Sequence, residues 1–171
     1  MRALLLAGLL ACAAGLAAGD AAPPDFSAYK ALPFDRLAAF PYGLPGQDSV
    51  WGSPSTGFKK GAPKIPADIL ACNGAKAYGT GYMIPLDLMA GMVHSFALVR
   101  SRMSCCYGQA PKLNEWVLID LPKGKHTYLA QDVPLDVYGT LEVGERKEHG
   151  QVIGIYHMVM DMMRIEQEPG Q

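Results

Sequence analysis

Five short runs rich in β-branched, aromatic and methionine residues follow one another after the turn signal Asn73-Gly74, and they constrain the fold more than any other feature. They predict strands at about residues 76–84, 92–100, 115–121, 134–143 and 151–161, separated by connections bearing Gly, Pro and Asp. Val133, Leu135 and Val137, and again Val152, Gly154 and Tyr156, alternate with neighbours that are often apolar too. Both faces of such strands need cover, and a small closed barrel provides it better than an open sheet. The expectation is a mainly β fold: a five-stranded OB-like barrel with a short N-terminal helical lid and long loops. The helix usual between the third and fourth strands of that architecture is missing, because residues 121–133 contain Pro122 and Gly124 and no apolar stripe.

The lid is read from Phe34, Leu37 and Phe40, a helical spacing that stops at Pro41. Residues 43–64, dense in Gly and Pro, predict a long surface loop, and residues 65–70 one helical turn opened by Pro66.

Residues 1–19 read as a secretory signal, with Arg2 before an apolar run over residues 3–18 and then Gly19-Asp20. Residues 20–33, with Ala-Ala-Pro-Pro, read as a flexible linker, residues 34–165 as one OB-like domain and residues 166–171 as a tail. The expected location is periplasmic or secreted. The rival is a lipid anchor through Cys12, since Leu9-Leu10-Ala11-Cys12 loosely resembles a lipobox, although Leu10 is large for its slot. No membrane span is expected beyond the signal, because the most apolar stretches are broken by Pro85, Asp87, His94, His157 and Asp161. The 15 Lys and Arg are balanced by 16 Asp and Glu, with no basic run longer than Lys59-Lys60, so a nucleic-acid partner is not expected.

Export normally goes with paired cysteines, yet Cys72, Cys105 and Cys106 leave at least one over within a monomer. The phrase Met103-Ser104-Cys105-Cys106-Tyr107-Gly108 places two thiols side by side at a turn marked by Gly108. Two thiolates brought together can chelate Zn²⁺ or Cu(I). The alternatives are a vicinal disulfide, or a staple to Cys72 with the second thiol buried as a small hydrophobe. Glu115 beside them offers a carboxylate ligand or base, though a carboxylate at a strand rim is more often solvated. His94, His126, His149 and His157 show no paired ligand spacing and read as surface histidines. Met158, Met160 and Met162 could line a copper site, but core filling is the preferred reading. No nucleophile elbow and no phosphate-cradling glycine loop is present, so no enzymatic activity is expected.

Several phrases carry a resemblance: Gly81-Tyr82-Met83-Ile84-Pro85-Leu86, Phe96-Ala97-Leu98-Val99-Arg100, the Cys105-Cys106 phrase, Asn114-Glu115-Trp116-Val117, Tyr138-Gly139-Thr140-Leu141-Glu142-Val143-Gly144-Glu145 and Gly154-Ile155-Tyr156. In order, over residues 34–163, they resemble the bacterial exported family known as domain of unknown function 3299. Ala77 and Cys72 depart from its pattern, and none of the four histidines falls in one of its motifs. The family has no established activity, but some members are encoded beside ATP-binding-cassette transporters in settings of metal handling. The resemblance therefore implies a non-enzymatic domain that binds or relays zinc or copper, through Cys105 and Cys106 with oxygen from Glu115 or Asn114, as an accessory to envelope transporter subunits. The competing expectation is a structural or partner-binding OB-like module without metal.

Overall fold

A computed structural model describes residues 25–42, 64–101 and 111–165. Its single sheet holds seven strands: β1 (Lys30–Ala31), β2 (Lys76–Met89), β3 (Met92–Val99), β4 (Trp116–Asp120), β5 (Thr127–Tyr128), β6 (Leu135–Glu148) and β7 (Gln151–Ile165). The five long strands fall where the sequence places them, and the fold is mainly β as expected. No helix occupies residues 121–134, which carry only the two-residue β5.

The sheet order β1-β2-β6-β7-β4-β3-β5, with an added β2–β3 pairing, closes β2, β6, β7, β4 and β3 into a ring. Numbered along the chain, the ring strands neighbour one another as 1-2-3-5-4 and back to 1, the order of an OB-like arrangement. Only β4 and β7 run parallel within the ring. Two-residue turns with both residues at positive φ, Ala90-Gly91 and His149-Gly150, close the β2–β3 and β6–β7 hairpins.

Pleating decides what each row of the ring faces. Phe96, Ile119, Met158 and Leu141 are cross-strand neighbours in one row, all almost fully buried. With Leu98, Val117, Leu135, Val137 and Met160 they form the core. Each such side chain contributes roughly 1.5–3 kcal/mol on burial. At Gly139 the β6 and β7 backbones approach so closely that a Cβ would collide with the Val159 carbonyl oxygen and lie 2.6 Å from Met158 Cγ.

Two helical turns, α1 (Phe34–Leu37) and α2 (Ala67–Leu70), pack on the core of the ring through Phe34, Leu37 and Ile69. The lid expected over residues 34–40 is thus one helical turn, with Phe34 and Leu37 buried and Phe40 packed on the core. Tyr156 fixes it by donating its hydroxyl to the Leu37 carbonyl at 2.9 Å. Burial raises the Tyr156 phenol above its ordinary range, so the hydroxyl stays a donor.

Part of the stretch expected as a linker is instead structured. Residues Phe26–Ala28 form a 3-10 turn, and β1 lies parallel to β2, with Lys30 opposite Ala77 and Ala31 opposite Tyr78. Aromatic contacts hold this strap: Phe26 and Tyr29 meet the Tyr138 ring edge-to-face at 5.1 and 5.3 Å, and Tyr78 stacks on Tyr138 at 5.2 Å. The Pro-rich composition just before it places the sequence boundary several residues too far along the chain.

Candidate ligand cleft

The rows between the core rows face outward. Ala97, Leu118, His157 and Glu142 form one such row across β3, β4, β7 and β6, and Ser95, Asp120, Val159 and Thr140 the next. In the first row apolar residues on β3 and β4 pass into ionisable residues on β7 and β6, and in the second the ionisable residue, Asp120, stands on β4.

The outer half of the β6–β7 hairpin bends over that face. The register shifts between Val143 and Arg146 and again between Arg146 and Lys147, the marks of bulges that turn a hairpin. Gly154 then lies against β4, where a Cβ would come within 3.0 Å of Leu118 Cδ1 and 3.1 Å of Trp116 Nε1, so a larger residue there would require those side chains to give way. Arg146 donates from NH1 to Asp120 Oδ2 at 2.7 Å, tying the arm down. At its root, Tyr42 donates to Glu145 Oε1 at 2.9 Å, and Asn73 Oδ1 accepts from the Val143 amide at 2.8 Å.

His157 lies at the centre of the charged group, its side chain 13% exposed. Its Nε2 is 2.7 Å from Asp120 Oδ2 and its Nδ1 3.0 Å from Glu142 Oε2. A protonated ring donates to both carboxylates, a neutral ring to one. Burial pushes the Asp120 carboxyl up, but the bonds from Arg146 and His157 outweigh it and hold the group below the usual carboxylate range.

Two neighbouring lobes result. A polar one of about 770 Å³ is lined by Asp120, Thr140, Glu142, Glu145, Arg146 and His157, among others. A second, of about 380 Å³, lies between the β2–β3 hairpin and the bent arm, with Ile84, Leu86, Ala97, Trp116, Leu118 and Ile153 as its apolar lining and Asp87 and Glu148 also present. Both include Asp120 and Arg146, so that ion pair divides the cleft.

Of the residues singled out from sequence, Cys105 and Cys106 lie outside the described residues. The Glu115 carboxylate closes a turn: Oε2 accepts from the Lys112 amide at 2.9 Å, Oε1 is 3.5 Å from Lys112 Nζ, and the Glu115 amide donates to the Lys112 carbonyl. Asn114 is buried and donates to the Phe40 carbonyl at 2.7 Å, while its Oδ1 has no hydrogen-bond partner among the described residues. Cys72 is a free thiol whose Sγ lies 3.5 Å from the Asp68 carbonyl oxygen, and the cysteines expected as its staple partners lie outside the described residues. Met158 and Met160 are buried in the core, as the preferred reading has it, while Met162 is half-buried.

His157 is a correction to the sequence reading, whereas His126 and His149 are exposed, as expected. His157 is an enclosed link between two carboxylates, and the His94 and His126 rings stand 5.9 Å apart. Sequence spacing misses both, since 37 residues separate His157 from Asp120 and only the β4–β7 register unites them. The two His157 nitrogens point to different carboxylates, so the trio does not converge on an ion. Among the described residues no group of three or more His, Cys, Asp or Glu is arranged to hold a metal.

No family model matches the chain, and no curated protein does. Among solved structures, the chain is similar to a DUF3299 family protein from Pseudomonas aeruginosa, with a TM-score of 0.55 and 20% sequence identity, over 84% of this chain and 99% of that one. The strand ring, the lid and the bent hairpin thus belong to a chain that has the fold of a DUF3299 family protein.

Proposed function

We propose that the protein is a non-enzymatic binding module that takes its ligand in the cleft over the outer face of β3 and β4. The observation that carries this reading is the bent β6–β7 arm, held over that face by Arg146, Asp120 and His157 while leaving the two lobes open beside it. OB-type rings use the outer face of their second and third strands, together with the loops joining strands one to two and four to five, to bind ligands. Here those strands are β3 and β4, and those loops are the turns at Ala90-Gly91 and His149-Gly150. The sequence phrases that resemble domain of unknown function 3299 and the shared fold also support placing the chain in that family. The apolar run over residues 3–18 supports an exported protein.

The test is nuclear magnetic resonance of the Trp116 indole N–H, assigned with a Trp51→Phe variant, against neutral oligosaccharides and short peptides of either charge. At least one ligand class should shift Trp116 and its neighbours on β2 and β3, leaving Tyr29 of the strap and Tyr78 opposite it in place. A panel that leaves Trp116 unmoved defeats the reading.

A second reading keeps Cys105 and Cys106 as a zinc or copper site serving envelope transporter subunits. It is favoured by the adjacent thiols in the β3–β4 connection and by the buried Asn114 Oδ1, which has no hydrogen-bond partner among the described residues. Because Glu115 is engaged by Lys112, this ligand set rests on the thiols and Asn114. Protein purified without oxygen should then hold equimolar metal, and Cys105→Ser with Cys106→Ser should abolish it, hydroxyls being poor ligands for these ions at neutral pH. Equal metal content in parent and variant removes the thiols from the site.

A further inference from the structure

The lining of the cleft is unequal in charge. Five carboxylates, Asp87, Asp120, Glu142, Glu145 and Glu148, face the two lobes, against Arg146 as the one Lys or Arg among the lining residues. Three of the five have neighbours within the chain: Asp120 faces Arg146 and His157, Glu142 faces His157, and Glu145 faces Tyr42 and, at 3.3 Å, Lys147. Asp87 and Glu148 make no hydrogen bond or ion pair among the described residues, and both are exposed.

Those two stand on different hairpins, Asp87 on β2 and Glu148 at the end of β6, and both line the smaller lobe. Like charges flanking an apolar lining repel each other, and a cation placed between them relieves both. The lining of Ile84, Leu86, Trp116, Leu118 and Ile153 calls for hydrocarbon beneath that cation. A Lys or Arg side chain combines the two, an apolar stem with a charged head. Beyond the Asp120–Arg146 divide, the larger lobe presents Glu142 and Glu145, so the acidic lining continues past the reach of a single small amine.

We propose that the cleft accepts an extended basic segment of a partner polypeptide, with one Lys or Arg stem on the apolar lining of the smaller lobe and its charge between Asp87 and Glu148. This rests on the reading of the cleft as a ligand site.

The probe is a short blocked peptide of alternating Leu and Lys, with the Leu-Glu counterpart, 1,5-diaminopentane and a neutral oligosaccharide as comparisons. Binding is followed by titration calorimetry and by the Trp116 indole resonance. The Leu-Lys peptide should bind and shift Trp116. It should bind about three- to tenfold more weakly to an Asp87→Asn, Glu148→Gln double variant, the effect of two solvent-screened ion pairs. Affinity should also fall between about 0.01 M and about 1 M ionic strength, as the Debye length shrinks from about 30 to about 3 Å. Both variant positions are exposed, so the fold is not at stake, and an unchanged far-ultraviolet circular dichroism spectrum verifies this.

If the Leu-Glu peptide or the oligosaccharide shifts Trp116 and the Leu-Lys peptide does not, the basic partner is refuted while the cleft remains a ligand site. The diamine binding as tightly as the peptide replaces the polypeptide with a small cation. Equal affinity of parent and double variant for the Leu-Lys peptide removes Asp87 and Glu148 from the site. If no probe moves Trp116, the ligand site itself falls.

Discussion

Replacing Asp120 by Asn tests whether the Arg146 and His157 bonds hold the β6–β7 arm in place. Asp120 Oδ2 receives Arg146 NH1 and His157 Nε2, each at 2.7 Å. Hydrogen bonds to charged groups contribute about 1.5–3 kcal/mol when shielded, and exposed ion pairs about 0–1 kcal/mol. The Arg146 and Asp120 side chains are 35% and 36% exposed, so water screens the pair and the lower range governs. The expected loss is about 1 kcal/mol, or a fall of about 4 °C in melting temperature for a domain of this size. The loss should also be local: amide hydrogen exchange should quicken over residues 145–154 and stay unchanged in the Phe96 and Ile119 rows. The sign with pH follows from the depressed carboxyl. A group held below its unfolded value stabilises fully above that value, here 3.8, and loses its contribution as pH falls through the lower folded one. The gap between wild type and Asp120→Asn in urea denaturation should therefore be steady near neutrality and close in acid. A variant matching wild type at neutral pH, or a gap that persists undiminished at pH values well below 3.8, would refute the argument.

Gly139→Ala should cost about 1–3 kcal/mol or more, because the obstacle is the Val159 backbone and not a side chain that can swing away; a urea midpoint equal to wild type would contradict the closeness of β6 and β7. Tyr156→Phe strips the buried Leu37 carbonyl of its donor and should cost about 1–3 kcal/mol, with exchange quickening first over residues 34–37; exchange there as slow as in wild type would show the lid is held otherwise. Asp136 receives Thr80 Oγ1 at 2.7 Å and Arg164 NH2 at 2.8 Å, and although burial raises its carboxyl these bonds leave it lowered, so Asp136→Asn should narrow the loss of stability on acidification; an unaltered acid transition would count against it.

The ring strands were legible because their rows alternate between a shared core and an outer face, which leaves a period of two in Leu135, Val137 and Val152, Gly154, Tyr156. Their far ends were not. β2 runs on to Met89 and β6 to Glu148, through Asp87 and Glu145, which read as connections because the exposed hairpin arms tolerate charge, and β7 runs on to Ile165 beside the start of β6, where Arg164 is taken up by Asp136. The cleft was hidden for a related reason. Leu118, His157 and Glu142 have no common spacing, and only strand register makes them neighbours. Glu115 was noticed for its position near the cysteines, yet the three-residue turn back to Lys112 gives its carboxylate a nearer partner.

The strap carries a consequence for the order in which the molecule assembles. Residues 26–31 are among the earliest described, yet their partners are Tyr78, Tyr138 and Asp161, the last of these 132 residues from Tyr29. Contacts over such separations form late and slow folding, because the intervening chain must be confined first. Nor can β3 take the place of β1: its ladder with β2 begins only at the Tyr82–Val99 pair, so the stretch of β2 around Ala77 and Tyr78 keeps one raw side until the strap arrives. A chain that has finished its ring but not seated residues 26–31 therefore displays a few unpaired backbone groups beside bare tyrosine rings, the kind of margin on which two half-folded copies adhere. Seating the strap is the step that takes the molecule out of that danger.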